Sequence, residues 1–171
     1  MLKGSLICRQ IESNVKTKNR IDIYIDADAC PVKEEVLRVA ARHKLKVFIV
    51  SNSWLRIGGN NPMVERVVVP EGQDEADNWI VEHISIGDIV VTGDIPLAAL
   101  CLVGGAKAVA SNGRVFTSDN IGNALAMRDL KRYLREIDNN DTYNASFTKK
   151  DRTAFLQSLE NMIHSFLKNH K

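Results

Sequence analysis

The chain has 171 residues, 44% of them hydrophobic and 26% charged, with a formal net charge of +2. That size suits one domain with a substantial core. No apolar run approaches the roughly 18 residues of a membrane span, and Lys3, Arg9, Gln10 and Glu12 interrupt any secretory signal. The charge is uneven. Residues 1–20 hold five Lys/Arg against one acid and residues 149–171 hold five against two, which leaves 13 basic and 18 acidic residues between them. Basic ends could steer a polyanion toward an acidic centre, and solvated tails account for the same numbers. Cys8, Cys30 and Cys101 are widely spaced, form no Cys-x-x-Cys pair and read as reduced thiols of a cytoplasmic protein.

Residues 1–20 show no clear periodicity and are expected to form an extension, with residues 21–171 as a single domain. A strand at about 21–26 opens that domain. Pro31 suits the first turn of a helix over about 31–44, with Val32, Val36, Val39 and His43 at helical spacing. A second strand covers 46–51. Gly58, Gly59, Asn60, Asn61 and Pro62 then mark a loop, and a short third strand follows at 66–69. Residues 74–85 read as a helix, 88–92 as a fourth strand, 95–103 as a short helix and 106–110 as a weaker fifth strand. Two amphipathic helices, about 120–137 and 149–168, close the chain across a polar linker, Asp138-Asn139-Asn140-Asp141. Strands alternating with helices imply βαβ crossovers and a mostly parallel sheet.

Carboxylates gather where the strands should end. Asp26 and Asp28 follow an apolar strand, two residues apart, and share a side if the backbone stays extended. Asp74 and Asp77 lie three apart at a helix start, which puts both on one face. Asp94 ends the fourth strand, and Asp119 is a cap candidate for the long helix. Ligands of open α/β sheets bind at the carboxyl ends of the strands. A hard cation such as Mg²⁺ or Mn²⁺ needs only a few such oxygens there, since it keeps several waters.

Helix capping accounts for Asp74 and Asp94 about as well as metal binding does. Asp26 and Asp77 are harder to assign to caps, because a carboxylate beside apolar residues is costly unless paired or liganded. Ser51, Asn52 and Arg114 follow the second and fifth strands and are candidates for contacting phosphate. Polar loop starts and a surface arginine are the plainer account of them. Arg128, in the long helix, is best read as a local ion pair. His43, His83, His164 and His170 have no ligand spacing, which argues against zinc. Cys30 lies beside the acids without an obvious histidine partner, which argues against a thiol nucleophile.

The segments Ile25-Asp26-Ala27-Asp28-Ala29-Cys30-Pro31, Val50-Ser51-Asn52, Gly72-Gln73-Asp74-Glu75-Ala76-Asp77 and Thr92-Gly93-Asp94-Ile95-Pro96 resemble the YaiI/YqxD family of bacterial proteins. Asn112-Gly113-Arg114 and Ala126-Met127-Arg128-Asp129-Leu130 continue the likeness over about residues 21–165. That family is similar to the PIN-like nuclease superfamily. The resemblance implies a three-layer α/β fold, with a mostly parallel sheet of about five strands between helices. It also implies an Mg²⁺- or Mn²⁺-dependent phosphodiester hydrolase acting on RNA. Asp26, Asp77 and Asp94 would be catalytic metal ligands, with Asp28 and Asp74 as additions. An aspartate stands where many PIN nucleases carry their second acid as glutamate.

Two rivals remain. Asp26-Ala27-Asp28 also fits a haloacid-dehalogenase-like phosphatase with Asp26 as nucleophile. That family's catalytic lysine is missing, since no lysine occurs between Lys46 and Lys107. The other rival is a non-catalytic domain that binds RNA or protein.

Overall fold

In the first strand, β1 (Asp22–Asp26), Ile23 and Ile25 point to one face, Tyr24 points to the other, and all three are buried. A strand buried on both faces reads as a continuous apolar run, as in parallel sheets covered by helices on each side. The computed structural model describes residues 20–28, 30–54, 61–138 and 146–169. The extension through residue 19, with Cys8, lies outside the described residues. So do Gly58, Gly59 and Asn60 of the expected loop and residues 139–141 of the expected linker.

The remaining elements are α1 (Lys33–His43), β2 (Lys46–Ser51), β3 (Val64–Val68), α2 (Glu75–His83), β4 (Ile89–Val91), α3 (Ile95–Val103), β5 (Lys107–Val109), β6 (Val115–Phe116), α4 (Ile121–Asp138) and α5 (Lys149–Asn169). The sheet order is β3-β2-β1-β4-β5-β6. The first five strands are parallel, and β6 is antiparallel to β5. The expected three-layer, mostly parallel architecture is present, with six strands where the sequence suggested about five. The extra strand has two residues, too few to give a period.

Two apolar layers enclose the sheet. On one side Ile23, Ile25, Val47 and Ile89 meet Val36 and Val39 of α1 and Phe155, Leu159 and Ile163 of α5. On the other, Tyr24, Val50, Val90 and Ala108 meet Ile80 of α2, Leu97 and Cys101 of α3, and Ala124 of α4. Beyond Ala124, α4 leaves Met127, Leu130, Tyr133, Leu134 and Ile137 exposed. The start of α4 is tied by Asn120, whose Oδ1 accepts the Thr117 N–H and whose own N–H bonds Thr117 Oγ1. Asp119 is exposed and makes no such cap. Among the described residues, no helix is long and apolar enough to cross a membrane.

Two positions are fixed by backbone rather than side chain. Gly113 has φ +86°, and a Cβ there would lie 2.5 Å from the Ala154 carbonyl carbon, so the β5–β6 turn can pack on α5 only as glycine. Its carbonyl accepts the Ser158 hydroxyl at 2.7 Å. Lys44 closes α1 in the left-handed region at φ 56°.

Two acids are fully enclosed. Asp88 is 0% exposed; its Oδ1 accepts the Asp22 N–H at 2.8 Å and its Oδ2 the Ser85 N–H at 2.9 Å. It thereby locks the amino ends of β1 and β4. Glu35 is 2% exposed, with Arg38 and Arg152 each 3.2 Å from its Oε1, and so couples α1 to α5. Asp88→Ala strands at least two buried backbone donors. It should cost about 2–4 kcal/mol, measured as a lower urea midpoint with an unchanged m-value. A loss below ~0.5 kcal/mol would show that the Asp22 and Ser85 amides find other acceptors.

Candidate functional site

The chain runs from β1 out to β2 and β3, then crosses back through α2 to place β4 on the other flank of β1. The direction of winding therefore changes between β1 and β4. Beyond the carboxyl ends of two such strands the connections diverge and open a crevice. Asp26 ends β1, while Thr92, Gly93 and Asp94 follow β4. A cleft at this point is lined by Asp26, Cys30, Val91, Thr92, Gly93 and Ser111.

Thr92 organises the cleft. It is 2% exposed, and its hydroxyl donates to Asp26 Oδ2 at 2.9 Å while accepting the Asp94 backbone N–H at 3.0 Å. Its own N–H goes to the Val109 carbonyl at 3.1 Å. One residue therefore ties the ends of β1, β4 and β5 together, through its hydroxyl toward Asp26 and Asp94 and through its backbone toward Val109. Asp94 sits at the N-cap of α3, and its Oδ1 accepts the Leu97 N–H at 2.9 Å with Pro96 in the first turn. Capping is thus part of its role and occupies one oxygen.

The pairwise geometry expected for the other acids changes in two places. β1 ends at Asp26, so the alternation of a strand does not reach Asp28, which is exposed in the following turn. Its backbone N–H turns back toward the Asp26 carboxylate. Lys33 braces the same turn, donating Nζ to the Ala27 carbonyl at 2.8 Å. Asp74 precedes α2 in the left-handed region, φ 65°, and its side chain makes no cap bond. It is therefore not on a helical face with Asp77, which lies in the first turn of α2.

The acids nevertheless share one field. Burial, foremost, raises the Asp26 carboxyl above its ordinary range; the charges of Asp28 and Asp94 add to this, and the Thr92 hydroxyl opposes it. Asp77 is pushed up to about 6, first by burial and then by Asp94, Asp26, Asp74 and Asp28. The other four predicted carboxylates are thus all close enough to act on Asp77. They do not form a closed cage: among the described residues, no three of them bring oxygens within 4.8 Å of one another. Such a spacing fits a hydrated hard cation held through one or two carboxylates and its own waters, rather than a dedicated all-protein shell.

The predicted phosphate contacts are less tightly bound to this cluster. Ser51 is buried and spends its hydroxyl proton on the Ser53 carbonyl. Asn52 is exposed just beyond β2. Arg114 is exposed in the β5–β6 turn, with its guanidinium 5.5 Å from the centre of the Phe116 ring. Arg128 pairs locally with Asp129 at 3.4 Å. Cys30 and Cys101 are buried free thiols. Burial raises the Cys30 thiol, so a thiolate nucleophile is disfavoured there. Burial, with Asp77 behind it, pushes Cys101 up to about 12.

Sequence reasoning assigned no role to Thr92 or Ser111. A threonine that ends an apolar strand two residues before an aspartate was the available signal for the first. Ser111 immediately precedes the Asn-Gly-Arg turn and had none.

Fold and rim together define a doubly wound, three-layer α/β protein with an acidic crevice at its switch point. Within that class, the chain belongs to the YaiI/YqxD family. The family model described as "Uncharacterized BCR, YaiI/YqxD family" matches residues 24–165. The chain is 52% identical over 145 residues to a UPF0178 protein of Rhodospirillum rubrum, covering 85% of this chain and 97% of the relative. It is 55% identical over 144 residues to a UPF0178 protein of Parvibaculum lavamentivorans, covering 84% and 94%. A UPF0178 protein of Caulobacter vibrioides is 50% identical over 141 residues, covering 82% and 92%. No solved structure gives a significant match.

The Asp77 proton is held more tightly in the fold than in the open chain, where the ordinary value is 3.8. The native state then binds more protons than the unfolded state across that interval, so stability falls as pH rises from about 4 to about 6. Asp77→Asn should flatten this part of the profile. In urea titrations the variant should gain on wild type above about pH 6 and show no such gain below about pH 4. An equal difference at both pH values would contradict the charge crowding.

Proposed function

We propose that this chain is a metal-dependent phosphodiester hydrolase acting on RNA, of the PIN-like kind. The observation that supports this most is the Thr92 bridge, which joins Asp26 to the Asp94 backbone at the switch-point crevice, where both charges act on Asp77. In this reading Asp26, Asp77 and Asp94 hold an Mg²⁺ or Mn²⁺ ion, with Asp28 and Asp74 as outer carboxylates. Such an ion lowers the pKa of a bound water and offsets charge on the phosphoryl oxygens.

The protein's own residues supply position. Thr92 fixes which oxygen of Asp26 is committed to the fold. The cap on α3 fixes Asp94. Asn52 and Arg114 carry the exposed donors suited to a phosphate backbone, and Ser51 shapes the turn that presents Asn52. The phosphatase reading loses further support, because Lys107 starts β5 at the amino ends of the strands and donates to the Met162 carbonyl. It therefore cannot stand beside Asp26.

The test is cleavage of end-labelled single-stranded RNA by purified protein with Mg²⁺ or Mn²⁺. Activity should require the cation and fall ~10²-fold or more in Asp26→Asn. Thr92→Val, which removes support from Asp26 and from the Asp94 amide but no proposed ligand, should cost ~10-fold. RNA binding with no turnover, unaltered in Asp26→Asn, would replace the hydrolase by a non-catalytic RNA-binding domain.

A further inference from the structure

Two of the histidines that show no ligand spacing in sequence, His43 and His164, meet in space. α1 buries Val36, Val39 and Ala40, and His43 follows on the same side in the last turn. α5 buries Leu159 and Ile163, so Glu160 and His164 flank that stripe one position on and one turn apart. Packing α1 against α5 brings His43 Nε2 to 2.8 Å and His164 Nε2 to 3.6 Å from Glu160 Oε2. The three ligand atoms all lie within 4.8 Å of one another. The two imidazoles stand edge-on, 88° apart with centroids 5.5 Å from each other.

We propose that His43, Glu160 and His164 form a binding site for a borderline divalent transition ion of the zinc class. Two imidazole nitrogens and one carboxylate oxygen are a donor set that zinc accepts, leaving a fourth position for water. Imidazole ligands select such ions over Mg²⁺ and Ca²⁺. The site is also supported from behind: Arg42 holds Glu160 Oε1 at 2.8 Å, so Oε2 is the oxygen turned to the imidazoles. The Arg42 charge opposes a cation, and the partial negative charge at the carboxyl end of α1 favours one. Burial grades across the trio, with His43 15%, Glu160 20% and His164 60% exposed. An ion can therefore enter from the His164 side without opening the core.

This site is separate from the acidic crevice and uses none of its residues. It would fasten α1 to α5, whose contact already includes the pair of Glu35 with Arg152.

The experiment is titration of the full-length chain with Co²⁺, read by its visible absorption, followed by displacement with Zn²⁺. One equivalent should bind with the strong bands of a low-coordinate site, and Zn²⁺ should abolish them. His164→Ala replaces a mostly exposed side chain and should fold. It and Glu160→Gln should lose the bands, whereas Asp26→Asn should keep them, and Mg²⁺ should not compete. A 100-fold excess of Zn²⁺ over its Kd should raise the wild-type thermal midpoint by ~5–10 °C, and that of His164→Ala much less. No stoichiometric Co²⁺ binding, or binding that survives His164→Ala, would overturn the proposal and leave the trio as a hydrogen-bonded staple.

Discussion

One hydroxyl group sets the geometry of the strand ends. Thr92 Oγ1 gives its proton to Asp26 and receives the amide of Asp94, and both bonds are made in a place water scarcely reaches. A hydroxyl can donate once and accept twice, so this residue faces both ways between two strands. A valine there would keep the volume and leave the Asp94 amide unsatisfied. It would also leave Asp26 with only the Asp28 amide as a neutral donor, next to like charges. The Asp94 amide at the start of α3 and the link between β1 and β4 beyond their last ladder bonds both rest on that side chain.

Acids at the two ends of the sheet are treated in opposite ways. At the amino end Asp88 is enclosed and met by backbone amides. Between the helices Glu35 is enclosed and met by arginines. These are acids whose charge the fold itself satisfies, and they act as clamps. At the carboxyl end, Asp26 and Asp77 are partly buried and meet mainly other carboxylates, which is why burial and like charge both push their protonation up. A fold that can neutralise carboxylates so thoroughly elsewhere leaves these ones crowded, and crowding of this kind is relieved by a cation or a proton. The contrast between clamp and crevice separates structural acids from candidate functional ones more sharply than burial alone.

That contrast was only partly legible in the sequence. The strands and helices could be read because their apolar periods are long enough to count, and the first and fourth strand ends announced themselves by acids after apolar runs. Asp88 and Asp94 flank the same strand and look alike in the sequence. In the fold they part: Asp88 is enclosed with both oxygens met by backbone amides, whereas Asp94 gives one oxygen to the Leu97 amide. The shared side of Asp26 and Asp28 was conditional on an extended backbone, and the period of two stops with the strand at Asp26. Asp74 looked like a helix cap by residue type, yet its left-handed backbone carries the side chain away from the amides it would cap. Glu35 fell within a helix start rich in charge, and nothing local says that Arg152, more than a hundred residues later, comes to meet it.

The histidines show the same limit from the other side. Ligand spacing along a chain detects sites built within one element, such as Glu160 and His164 on one face of α5. It cannot detect a third ligand that arrives on a different helix. The two places where this chain gathers ligand atoms therefore differ in chemistry as well as position. The acids of the crevice offer oxygen, widely set, which favours a small hard ion that retains its water. The α1–α5 seam offers two nitrogens and one oxygen at close range, which favours an ion that sheds water for imidazole. Because neither donor set suits the other's ion well, occupancy of one place need not perturb the other. The seam can then rigidify the helices on one face of the sheet while the crevice stays open beyond the ends of β1 and β4.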